Sequence, residues 1–121
     1  ATLFLLVLDL KEGKSLADLR AAARQVRDNL KPEGWTKRLL DFFAGDLDEA
    51  GLLAAAAESG AGAQEARLCE ARFYAAQLRL AGGDRQGAQN LLEPCRAALG
   101  LGLPEALAAE YELRRLSNKG G

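Results

Sequence analysis

The sequence predicts an all-α fold, an array of antiparallel helical hairpins stacked side by side, and three observations carry that expectation. The 121 residues include 24 Ala and 24 Leu against two Val, two Thr and no Ile, a balance that favours helix over strand. Apolar residues recur at helical spacing through most of the chain. A turn motif is written twice, Gly45-Asp46 followed by Ala50 and Gly83-Asp84 followed by Ala88, with the copies 38 residues apart. A period of this size marks a repeat array, in which one hairpin cannot bury its apolar face alone and stacked neighbours complete the core.

About seven helices are expected, and each has a local reason. The first covers roughly 3–12 and stops at Gly13, which suits the left-handed conformation that closes helices. Its run Leu3 to Leu8 is too short to span a membrane and lacks the basic flank and small-residue site of a signal peptide. We read it as a buried helix that began before Ala1, in a chain resembling the carboxy-terminal part of something longer. The second helix opens at Ser15 with Asp18 three residues on, a variant capping box, and ends before Pro32. Leu16, Leu19, Ala23, Val26 and Leu30 form its stripe. The third presents Trp35, Leu39, Phe42 and Phe43 to the core.

Asp46 is expected to cap the fourth helix, with Glu49 three residues on and Leu47, Ala50, Leu53, Ala54 and Ala57 inside. Gly60-Ala61-Gly62-Ala63 connects the hairpins. The fifth helix shows Cys69, Phe73, Ala76 and Leu80 on one side and stops at Gly82-Gly83. Asp84 caps the sixth, whose inner face is Ala88, Leu91, Leu92, Cys95 and Leu99. Pro104 starts a last helix with Ala106, Ala109, Leu113 and Leu116 inside; it runs to about Ser117, and 118–121 is a disordered tail. The single domain, 1–117, is thereby divided into a degenerate hairpin 1–31, repeats 33–59 and 64–100, and a capping helix 104–117.

Charge and composition narrow the function. Sixteen basic and 17 acidic side chains, interspersed, give a net charge of −1 and no extended field for nucleic acid or anionic lipid. There is no His to act as a base, and no Ser stands in a nucleophile-elbow context. Asp18, Asp46, Glu49 and Asp84 already have capping roles. We therefore expect no catalysis, no cofactor and no metal site.

A tight helical hairpin needs a Gly at positive φ, a capping Asp for the next helix, and a small residue where the helices cross. In these residues the chain resembles the tetratricopeptide repeat family, which implies a right-handed α-solenoid. The family period is about 34 residues, and the Gly-Ala-Gly-Ala insertion accounts for the longer spacing here. A further likeness covers nearly the whole chain. The run Cys69-Glu70-Ala71-Arg72-Phe73-Tyr74-Ala75-Ala76, then Gly83-Asp84 and Ala88, with Trp35 and Phe42-Phe43-Ala44-Gly45, is similar to secreted bacterial repeat proteins of the new lipoprotein I type. That resemblance implies a non-catalytic adaptor of the cell envelope, periplasmic or outer-membrane-anchored through an upstream lipidated Cys, docking proteases or cell-wall enzymes. A cytoplasmic repeat scaffold is the alternative.

Three sets of residues are candidates for function. Arg20, Arg24, Arg27 and Lys31 form a basic stripe, either a dock for an acidic partner or a solvated face. The family's concave-surface positions fall on Glu70, Phe73, Gln77 and Leu80, with Phe73 readable as a groove contact or a core ring. Cys69 begins one helix and Cys95 lies near the end of its antiparallel partner, so they form a disulfide or serve as two small core residues. The expected activity is binding of a protein or peptide partner on the repeat groove. Its rival is a self-assembly element, a homodimer.

Overall fold

The structure, a computed structural model, describes residues 15–31, 33–58, 60, 63–97 and 104–120. The helix expected at 3–12, and the residues Pro32, Leu99 and Gly100–Gly102, lie outside them. The described residues are all-helical and contain no strand: α1 Leu16–Leu30, α2 Gly34–Ala44, α3 Glu49–Ala57, α4 Gln64–Ala81, α5 Arg85–Arg96 and α6 Pro104–Gly120. Contacts divide the chain between Ala55 and Ala56 into two compact units.

In the first unit α1 starts as its sequence predicts, Ser15 Oγ accepting from the Asp18 N–H at 3.1 Å. It ends at Lys31, whose φ of 47° is left-handed and whose N–H donates to the Arg27 carbonyl. Leu19 and Ala23 are buried, while Leu16 and Leu30 at the two ends of the predicted stripe are exposed. Against α1 packs α2, with Leu39, Leu40, Phe42, Phe43 and Ala44 buried. The Phe42 and Phe43 rings meet edge to face with centroids 5.7 Å apart. Trp35 is only half-buried.

Two expectations for this unit are corrected. Gly45, at φ 88°, does close α2, but Asp46 does not cap α3. Asp48 does, its Oδ1 accepting from the Gly51 N–H at 2.7 Å. The cap moves by two residues and the helix turns with it. Leu52 and Ala56 are fully buried, whereas Ala50, Ala54 and Ala57 of the expected inner face are exposed and Leu47 and Leu53 half-buried. The hairpin also differs. The helices in extended contact are α1 with α2, α4 with α5, α5 with α6 and α4 with α6. The pair α2 and α3, on either side of Gly45, is not among them.

The second unit is a three-helix arrangement centred on α4. Gly83, at φ 86°, reverses the chain, and Asp84 Oδ1 accepts from the Gly87 N–H at 2.9 Å, the cap that the sequence predicts. Ala88, Leu92 and Cys95 are buried and Leu91 half-buried. In α6 Ala106, Ala109, Leu113 and Leu116 are buried as expected. The helix itself continues to Gly120, through residues assigned to the tail.

Asp48 and Asp84 cap their helices in the same way. Each caps onto a Gly three residues later, where a Cβ would meet the capping carboxylate. The caps are 36 residues apart, and the buried positions keep that offset: Leu52 corresponds to Ala88 and Ala56 to Leu92.

Candidate functional site

Arg20, Arg24 and Arg27 stand at steps of four and three and therefore project from one side of α1, and Lys31 follows at its left-handed end. The structure gives them different work. Arg27 Nη1 lies 3.0 Å from Asp41 Oδ1 and pairs also with Asp46 Oδ2, leaving its side chain 22% exposed. Lys37 Nζ joins the same cluster at 3.1 Å from Asp41 Oδ2. Hydrogen bonds to Asp46 and then Asp41 push the Arg27 guanidinium further toward its charged form. Reciprocally, the hydrogen bond from Arg27 holds the Asp46 carboxyl below the usual carboxylate range. Arg27 is thus an internal brace that ties α1 to the end of α2.

Arg20 is also committed to packing. Its guanidinium covers Gly45, where a Cβ would lie 2.8 Å from Nη1, and its Nε is buried without a hydrogen-bond partner among the described residues. Arg24 and Lys31 are exposed. Arg27, Lys31 and Lys37 line a shallow hollow of about 560 Å³ together with Asp28 and Glu33. Leu30, which precedes Lys31 in sequence, is 64% exposed.

The candidate face of α4 is largely covered. Phe73 and Gln77 are buried, and only Glu70 and Leu80 reach partial exposure. The cause is the position of α4, which packs on both α5 and α6. Five consecutive residues, Phe73 to Gln77, are buried, so this helix presents no open binding face along that stretch. Phe73 is a core ring, set edge to face against Tyr74 with centroids 5.2 Å apart.

Cys69 and Cys95 form a disulfide between α4 and α5, with Cα atoms 4.6 Å apart. Both are buried. Close by is a polar pair that the sequence did not reveal. The Tyr74 hydroxyl donates to Glu105 Oε2 at 3.1 Å, joining α4 to the first turn of α6 inside the unit. Burial foremost, then the Glu105 charge, drives the Tyr74 hydroxyl far above its ordinary range, so it stays a proton donor. Glu112 is a second buried carboxylate of α6, held by Arg115 Nη2 at 2.8 Å. The signal was available in part: Glu105, Ala109, Glu112 and Leu116 share a helical stripe, although acids are ordinarily left in solvent.

Between α5 and α6 runs a shallow groove of about 590 Å³, its floor including Leu113. Its rim charges pair among themselves: Arg96 with Glu93 at 2.6 Å and Glu110 at 3.6 Å, and Arg114 with Glu110 at 2.7 Å. Among the described residues no group of three or more His, Cys, Asp or Glu could hold a metal ion, and no helix is long and apolar enough to cross a membrane. Comparisons with family models, with curated proteins and with solved structures find no match for this chain. The fold and these surfaces define an all-helical protein with a braced basic edge in one unit and a disulfide-linked core in the other.

Proposed function

We propose that the chain is a non-catalytic interaction module, a tetratricopeptide-like helical array that binds a protein or peptide partner carrying acidic and apolar side chains. The observation that carries this reading is the carboxy-terminal end of α1, where exposed Leu30 precedes Lys31 in sequence and Lys31 lines the hollow with Arg27, Lys37, Asp28 and Glu33. An exposed apolar side chain near a mixed-charge hollow suits an amphipathic segment, with Leu30 supplying burial and exposed Arg24 and Lys31 favouring acidic side chains on the partner. Because Arg27 is fixed by Asp41 and Asp46, the partner would meet a pre-organised cation there and mobile ones at Arg24 and Lys31.

The resemblance to envelope adaptors extends the proposal to compartment and partner class: a periplasmic or outer-membrane-anchored protein that docks proteases or cell-wall enzymes. Pairing of Cys69 with Cys95 supports an oxidising compartment, since cytosolic thiols are kept reduced. The test is capture of partners from an envelope extract by the full chain and by its R24E/K31E variant. Loss of the same captured proteins with the variant supports the reading. Unchanged capture sinks it.

A further inference from the structure

The outer face of α6 carries the two most exposed large apolar side chains among the described residues, Leu107 at 66% and Tyr111 at 68%. They lie one turn apart, opposite the buried Ala106, Ala109, Leu113 and Leu116. Exposed Arg114 continues the same face, and Glu110 flanks it, accepting from Arg114 Nε at 2.7 Å. Arg115 is turned away to buried Glu112. Along this face, then, the order of character is apolar, acid, aromatic, base, with Glu110 also paired to Arg96 of α5.

We propose that this face binds the same face of a second copy, α6 against α6 in antiparallel sense, about a two-fold axis at Tyr111. The charge order selects this occupant and this direction. With the helices antiparallel, the two Tyr111 rings meet, and Leu107 lies beside the aliphatic stem of the second copy's Arg114. Glu110 comes within about two residues' rise, roughly 3 Å, of that same Arg114 along the axis. The intrachain Glu110–Arg114 pair, with Arg96 behind Glu110, thereby gains a second pair of opposite charges from the other copy. A parallel pairing would set Glu110 on Glu110 and Arg114 on Arg114, and would align the helix dipoles unfavourably. The surface is isologous, as a closed dimer requires. One face of a helix about 25 Å long offers well under the roughly 800 Å² per partner of a stable interface, so the dimer is weak, with a Kd on the order of 100 µM. This inference uses a surface separate from the α1 edge and does not rest on the partner reading.

The experiment is sedimentation of the whole oxidised chain from about 5 µM to about 1 mM, a range that brackets such a Kd. Monomer at the low end and dimer at the high end is the expected result. L107A/Y111A should raise the Kd at least about tenfold, as loss of central anchors does. R114E should weaken the dimer, and E110R/R114E should restore it. A monomer at about 1 mM overturns the proposal, as does a dimer indifferent to L107A/Y111A, a charge swap no better than R114E, or open-ended assembly. Far-UV circular dichroism checks that each variant keeps its helices. Should the charge variants unfold, cross-linking decides instead: under mild oxidation Y111C should link to itself between chains and S117C should not, and the reverse pattern or no link from Y111C overturns the pairing.

Discussion

Replacing Cys69 and Cys95 by Ala, or reducing them, should remove a large part of the stability of the α4–α6 unit. The bond joins positions 26 residues apart. Constraint of the unfolded chain over a loop of that length corresponds to about 3.5 kcal/mol at 25 °C. A unit of this size, at about 0.05–0.15 kcal/mol per residue, holds only roughly 3–10 kcal/mol in all. Loss of the bond therefore takes a third or more of it, equivalent to about 14–28 °C in Tm at the sensitivity of small domains. The assay is urea unfolding of oxidised, reduced and C69A/C95A protein, with hydrogen exchange of the 64–96 amides to localise the change. Reduced protein and the double variant should agree to about 1 kcal/mol, because the sulfurs are buried and their removal adds only a small void. An oxidised protein no more than about 1 kcal/mol above the reduced form would refute the reasoning, as would two free thiols by non-reducing mass spectrometry of exported protein.

Three further outcomes are expected. Y74F removes the donor to Glu105 and leaves a buried carboxylate oxygen without it, which should cost about 1–3 kcal/mol in urea unfolding at pH 7. D48A should lower the stability of α3 by about 1 kcal/mol through loss of its cap, and hydrogen exchange of 49–57 should rise; D46A should leave that helix's capping intact. The third concerns acid. Because Arg27 depresses the Asp46 carboxyl in the folded state, the stability it contributes is complete above the ordinary Asp range near about 4 and is lost as pH falls through the lower folded value. Urea titrations from neutral pH to pH about 2 should show a shallower acid loss for D46N than for the parent, and equal slopes would contradict the Arg27–Asp46 brace. Asp84, depressed by the Gly87 N–H and then by Arg79, adds a second such component that D84N removes.

Helix type was legible from composition and periodicity, and caps were legible where one candidate stood alone. Ser15 and Asp84 were such cases. After Gly45 two aspartates compete, Asp46 and Asp48, and the local pattern does not choose between them. The choice is made by Arg27, 19 residues upstream, which takes the Asp46 carboxylate and frees Asp48 for the cap. That is tertiary information. The burial of Phe73 to Gln77 was obscured for a related reason. A helix packed by two neighbours has no single stripe, and the expected groove positions came from the family resemblance, not from the pattern of α4 itself. The disulfide was half-legible: heights around Gly83 matched, but only packing shows that both Cβ vectors point inward.

The two turn motifs look alike in sequence and differ at the position that decides packing. Counted from the caps, Ala88 in α5 corresponds to Leu52 in α3, although the Gly-based register had paired Ala88 with Ala50. Ala50 is exposed, so smallness there serves no close approach. Ala88 is fully buried, and α5 lies along α4 in extended contact. Where Leu52 stands instead, α3 makes no such contact with α2. The small residue thus separates a closed hairpin from an open one, since a branched four-carbon side chain at the crossing would hold two backbones apart. A88L tests this directly. In an interior already at crystal-like density, three added carbons should cost about 1–3 kcal/mol and spread the α4–α5 pair, raising exchange at the 73–77 amides. The isosteric control is A50L at the exposed position, which should change stability by less than about 0.5 kcal/mol. If A88L proves as silent as A50L, close helix approach is not what Ala88 provides, and the 36-residue register loses its physical basis.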